Sequence, residues 1–173
     1  VVAYKFKDAD KLLNVEIFDQ SKTLFFVTSA GIALNADISD VPLQSKNSAG
    51  VKGIKLDDGA KLVLATLVNP NDKVVCATNR CFAKIVKVSE FAVLARNRKG
   101  VKLITLGSDK EAVIYAKKLT NSTFELFALD KNDKPYYIST DKISEEGRNT
   151  KGKSFADKKG TDVKVIYTYL WKE

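Results

Sequence analysis

One motif occurs three times in this 173-residue chain at nearly equal intervals. Lys46-Asn47-Ser48-Ala49-Gly50, Arg96-Asn97-Arg98-Lys99-Gly100 and Arg148-Asn149-Thr150-Lys151-Gly152 each read basic-Asn-x-x-Gly, with glycines 50 and then 52 residues apart. Two copies continue alike, as Gly50-Val51-Lys52 and Gly100-Val101-Lys102. A period of this length marks an array in which each unit is too small to bury its own apolar face and must stack on its neighbours.

The segments between the motifs keep the same register. About twenty residues before each motif lies an apolar run, a turn and a second apolar run: 24–28 with 32–34, 74–78 with 81–85, and 124–129 with 135–138. Short β-rich runs around Gly, Asn and Asp are the pattern of β-hairpins. A further strand is expected ahead of each hairpin, at 12–18, 62–68 and 112–116, and a last one at 163–170. Four strands per unit is the content of a propeller blade. The expected fold is all-β, a propeller-like array of three four-stranded repeats at roughly 11–60, 61–110 and 111–160 with a closing strand at 161–170, forming one domain over 1–173. Little helix is expected beyond a turn near Ile38-Ser39-Asp40 or Ser89-Glu90-Phe91. Phe25, Val27, Val75, Ala77, Leu126 and Ala128 are the expected core. Three units are too few to close a ring, so the array should be an open arc, part of a larger ring, or a partner in a dimer.

Composition removes several classes of function. The chain has no histidine, and so lacks the commonest general base and the commonest transition-metal ligand. Its two cysteines, Cys76 and Cys81, cannot complete a four-ligand zinc site by themselves. They form no disulfide framework, and buried free thiols in a reducing, cytoplasmic compartment are expected. No phosphate-binding glycine loop, nucleophile elbow or dinucleotide fingerprint is present. The adjacent pairs Asp57-Asp58 and Glu145-Glu146 fall in polar, turn-like stretches and read as solvated surface. No catalytic residue, metal site, cofactor, small-molecule substrate or membrane span is expected.

Charge points to a polyanion. Residues 61–110 carry 10 basic and 3 acidic side chains, against 7 and 8 in residues 1–60, within a total of +8. Within the middle repeat, Arg80, Lys84, Lys87, Arg96, Arg98, Lys99 and Lys102 form a stretch in which Glu90 is the one acidic residue. A block of one sign attracts phosphate and speeds association. Its cations recur at matching places in successive repeats, beside a glycine that permits close approach. The expected contacts are Arg96, Arg98, Lys99 and Lys102, then Lys84 and Arg80, with Lys46, Lys52, Arg148, Lys151 and Lys153 at related places. Asn47, Asn97 and Asn149 are expected to shape the turns.

Two stretches resemble a known family. Phe26-Val27-Thr28-Ser29-Ala30-Gly31 followed by Gly50-Val51-Lys52-Gly53-Ile54-Lys55-Leu56 is similar to one blade of the C-terminal domain of the A subunit of bacterial type IIA topoisomerases, DNA gyrase and topoisomerase IV. Gly147-Arg148-Asn149-Thr150-Lys151-Gly152 resembles the G-R-x-T-x-G element of such blades. The resemblance runs from about Leu12 to Leu170. It implies a β-pinwheel, whose blades exchange strands, and a non-enzymatic role: binding and bending duplex DNA around the rim and presenting a segment to a catalytic core in another domain. The implied partners are double-stranded DNA, the rest of the A subunit and the ATPase B subunit. Gyrase carries a Q-R-R-G-G-K-G box in its first blade. The counterpart here, Gln44-Ser45-Lys46-Asn47-Ser48-Ala49-Gly50, keeps the ends and loses most of the charge. That loss, with only three visible blades, resembles a topoisomerase IV-like subunit or distal gyrase blades more than a complete gyrase wrapping domain. A protein-interaction propeller is the alternative reading.

Overall fold

The computed structural model describes residue 6 and residues 10–45, 48–120, 123–158 and 160–169. The fold is all-β, with twelve strands in the described residues. Strands β1 (Thr23–Thr28) and β2 (Ile32–Asp37) form the first hairpin, β4 (Lys73–Thr78) and β5 (Phe82–Lys87) the second, and β9 (Glu125–Asp130) and β10 (Pro135–Ser139) the third. The hairpins form where the sequence predicts them because runs such as Leu24-Phe25-Phe26-Val27 end in residues able to turn left-handed. Gly31 has φ 73°, Cys81 at the corresponding place has φ 56°, and Asp133 has φ 62°.

Each hairpin takes its next strand from the following repeat. β3 (Leu62–Val68) pairs antiparallel with β1, β8 (Val113–Lys118) with β4, and β12 (Val163–Tyr169) with β9. Short strands from one repeat further along return to the free side of the hairpin. β6 (Val93–Leu94) and β7 (Val101–Lys102) pair with β2, and β11 (Lys153–Ser154) pairs with β5. The sequence repeat and the sheet are therefore offset, and adjacent repeats are interlocked by backbone hydrogen bonds.

Alternation along each strand directs one face forward and one back. Phe25 and Val27 of the first sheet pack with Val74, Cys76, Val86 and Val88 of the second. Val75, Ala77, Ala83 and Ile85, on the other face of the second sheet, pack with Phe124, Leu126, Ala128 and Tyr136 of the third. All six expected core residues are buried, and burying a side chain of the Val or Phe class contributes about 1.5–3 kcal/mol. The remaining face of the first sheet, with Phe26, Leu34 and Ala36, packs on Ile54 and its own margins.

One local expectation needs adjustment. Residues 12–18 form no strand; they run beside β3, where Asn14 Nδ2 donates to the Ala65 carbonyl at 3.1 Å and the Leu67 N–H donates to the Glu16 carboxylate at 2.9 Å. A 3-10 turn stands at each of the two places offered for one, at Ile38–Asp40 and, one residue before the expected Ser89-Glu90-Phe91, at Val88–Glu90; a third at Thr140–Lys142 follows the third hairpin.

Candidate nucleic-acid interface

The basic-Asn-x-x-Gly motif builds a clasp between repeats. Gly100 has φ 84° and Gly152 has φ 80°, a left-handed conformation that costs other residues energy. Each also lies against the preceding hairpin. A Cβ at position 100 would sit 2.3 Å from the Ala33 carbonyl oxygen, and one at 152 would sit 2.6 Å from that of Ala83. The acidic residue closing the 3-10 turn of the preceding repeat caps the motif's first N–H: Arg96 N donates to Asp40 at 3.2 Å, and Arg148 N to Glu90 at 3.0 Å.

Successive clasps are strung together. Asn97 N donates to Gly53 O at 2.6 Å and Lys55 N to Arg98 O at 2.9 Å; one repeat on, Thr105 N donates to Thr150 O at 2.9 Å. The three turns thus lie along one continuous rim. On it Lys52, Lys55, Arg98, Lys102 and Lys153 are exposed, and their charged ends have no ion-pair partner among the described residues. Lys99 is also exposed, in a surface pair with Asp57 at 2.9 Å that is cheap to exchange for a phosphate. The motif pattern does not reveal Lys55, although it follows Lys52 by three residues on the same clasp.

Several predicted contacts serve the fold. Lys84 is fully buried, and its Nζ donates to Gly147 O at 2.8 Å, Thr150 O at 3.1 Å and Thr150 Oγ1 at 3.3 Å. Burial lowers its pKa, and it organises the third clasp from inside, so it is removed from the phosphate-contact set. The Arg96 guanidinium donates to Asp40 O at 2.8 Å and to Lys52 O at 3.1 Å, joining two clasps. Arg80 pairs with Asp162 at 2.8 Å and donates to Gly160 O at 3.2 Å. Lys151 pairs with buried Glu111 at 3.1 Å and stands 4.1 Å over the Phe82 ring. Arg148 is half-buried.

In the stretch matching the gyrase box, Gln44, Ser45, Ala49 and Gly50 are exposed, Ser48 bonds Gln44, and Gly50 has φ 75°. Lys46 and Asn47 lie outside the described residues. Cys76 and Cys81 are free and buried, and burial pushes both thiols up to about 12, which leaves them inert. Among the described residues no cluster of three or more His, Cys, Asp or Glu side chains could hold a metal, and no helix is long and apolar enough to cross a membrane.

Interlocked hairpin sheets stacked face to face, with basic loops along one rim, define a β-pinwheel domain. The family model described as "DNA gyrase C-terminal domain, beta-propeller" matches residues 22–69 and 72–119, more than half the chain, and the chain belongs to that family. Each matched stretch holds one hairpin together with the strand that completes its sheet. The chain is 26% identical over 152 residues to the DNA gyrase A subunit of Pseudomonas aeruginosa, covering 88% of this chain and 16% of that protein. It is also 26% identical over 165 residues to the DNA gyrase A subunit of Haloquadratum walsbyi, covering 94% and 19%. It therefore spans less than a fifth of these relatives. Among solved structures, the C-terminal domain of a DNA topoisomerase IV superposes with a TM-score of 0.80 at 24% identity, covering 96% of this chain and 52% of that one. A DNA gyrase A C-terminal domain superposes at 0.71 and 22% identity, covering 95% and 56%.

Proposed function

We propose that this chain is a non-catalytic domain that binds and bends duplex DNA without reading its sequence, as part of the A subunit of a type IIA topoisomerase in the cytoplasm. The observation that carries this reading is the clasp rim. There Lys52, Lys55, Arg98, Lys102 and Lys153 stand exposed, without ion-pair partners among the described residues, on backbone elements joined by hydrogen bonds. Cations on successive clasps meet successive phosphates, which positions a duplex but carries no base information. Bending 20–30 bp by 40–90° costs on the order of 1–6 kcal/mol, and several phosphate contacts spread over the repeats offset it. In this reading the domain presents a DNA segment to a catalytic core elsewhere in the A subunit, which works with an ATPase B subunit.

The test is the affinity for random-sequence duplex across a salt series. Five rim contacts predict a slope of log K against log salt of about −4 to −5. Replacing Arg98 and Lys102 by alanine should lower affinity and flatten the slope by about 2. Absence of binding at low salt would reject the reading, and tight binding insensitive to salt would favour a protein partner.

A further inference from the structure

The rim alternates its cations with exposed apolar side chains. Asp40 holds Arg96 of the middle clasp through both its carboxylate and its carbonyl, and Glu90 holds Arg148 of the third. The chain then runs from Asp40 to the first clasp, and from Glu90 to the middle one, so each stretch bridges two successive clasps. Three residues beyond each acid, at the joint, stands an apolar residue: Leu43, 99% exposed, and Val93, 51% exposed. Leu94 beside Val93 is 41% exposed. Single exposed leucines and valines are ordinary on a protein surface. Here the same place is apolar and open in two successive repeats, and exposed cations belong to the clasps it joins, Lys52 and Lys55 to the first, Arg98 and Lys102 to the middle one.

Both joints present their side chains on stiff backbone. Ahead of Leu43, the Val41 N–H donates to the Ile38 carbonyl at 3.0 Å and the Ser39 N–H to the Asp37 carboxylate at 2.8 Å, and Pro42 has its φ locked by the ring. Val93 and Leu94 form β6, paired with Asn35 and Ala36 of β2. Side chains held out in this way enter a ligand with little ordering left to be done. The third repeat differs. Glu145 takes the place of Val93, paired with Lys73 at 2.5 Å and Lys87 at 2.9 Å, and Glu146 takes the place of Leu94.

We propose that Leu43, Val93 and Leu94 are wedges that enter the minor groove of a bound duplex and part its stacked bases, so that the bend falls at the joints between clasps. The proposal rests on the duplex-binding reading above and says how the bend is made. Apolar side chains of this class unstack a base step and kink the duplex toward the major groove. The cations of the two flanking clasps then hold the phosphates on either side of the opened step, contacts that the bend brings within reach. Glu145 and Glu146 offer carboxylates and no wedge, so the duplex is kinked at the first two joints and not beside the third clasp.

The experiment compares the affinity of the full chain for two random-sequence duplexes of about 30 bp, one fully paired and one with adjacent mismatched pairs at its centre, where unstacking is already partly done. Wild type should bind the mismatched duplex roughly fivefold more tightly or better. Leu43→Ala should lower that preference, and Leu43→Ala combined with Val93→Ala and Leu94→Ala should abolish it. Leu43 lies outside the core, so the single variant reads the effect on a folded chain. Neither variant removes a charge, and the salt slope on the paired duplex should match that of wild type. Equal affinity of wild type for the two duplexes, or a preference that Leu43→Ala leaves undiminished, would overturn the proposal while duplex binding stands. Binding of neither duplex at low salt would overturn both.

Discussion

Gly100 is packed so tightly on Ala33 that any side chain at position 100 meets the Ala33 carbonyl, the would-be Cβ lying 2.3 Å from its oxygen. That contact joins the middle clasp to the hairpin of the first sheet, and so links residues far apart in the chain. Gly100→Ala should destabilise the protein by about 2–4 kcal/mol, combining left-handed strain with displacement of the clasp. Gly59→Ala has the same sign of φ but open space, and should cost only about 1 kcal/mol. Denaturant unfolding of both variants separates the conformational part from the packing part.

Lys84 should behave as a structural residue. Lys84→Met keeps the volume but takes a charged donor away from the carbonyls of Gly147 and Thr150, a loss of about 1–3 kcal/mol. Thermal unfolding measures the loss, and amide exchange should rise first in residues 147–152. Because burial lowers the Lys84 pKa, the unfolded chain binds the extra proton between that lowered value and 10.5. Wild-type stability attributable to this group therefore rises with pH across that alkaline window, a rise that Lys84→Met should lack.

Arg96 and Arg98, two residues apart, should separate cleanly. Arg96→Ala removes donors to Asp40 O and Lys52 O and should cost about 1 kcal/mol of stability. Arg98→Ala should leave stability within about 0.5 kcal/mol and reduce the DNA salt slope by about 1. Paired unfolding and binding measurements on the two variants give the comparison.

Glu111 should mark the acid limit of the middle repeat. Burial raises its pKa, but the Gly107 N–H, Lys151 and Thr78 together hold it below the usual 4.5. A carboxylate depressed in the folded state contributes stability that is complete above the unfolded pKa and is lost as pH falls through the folded one. Glu111→Gln should therefore be less stable than wild type at pH 7. The gap should narrow as the solution is acidified below about 4.5, as followed by unfolding at a series of pH values.

The rim and the core were legible in the sequence to different degrees. Alternation along 24–28, 74–78 and 124–129, with turn residues at fixed offsets, is a local pattern, and it located the hairpins, the core residues and the clasp turns. Charge is counted without regard to depth, so Lys84 and Arg96 looked the same as Arg98 and Lys102. Only packing showed that the first two spend their donors on backbone carbonyls.

The sequence by itself determined the hairpins and the polarity of the middle repeat, because both depend on residues close together in the chain, and the period, because one motif recurs at a nearly fixed spacing. Tertiary structure alone decided which sheet each linking strand joins. A run such as 62–68 has the same alternation whichever neighbour it pairs with, and the choice of β1 rests on hydrogen bonds between residues about forty apart. Residues 12–18 show the same principle from the other side. Their pattern suits a strand, but a strand exists only where a partner supplies the other half of its hydrogen bonds.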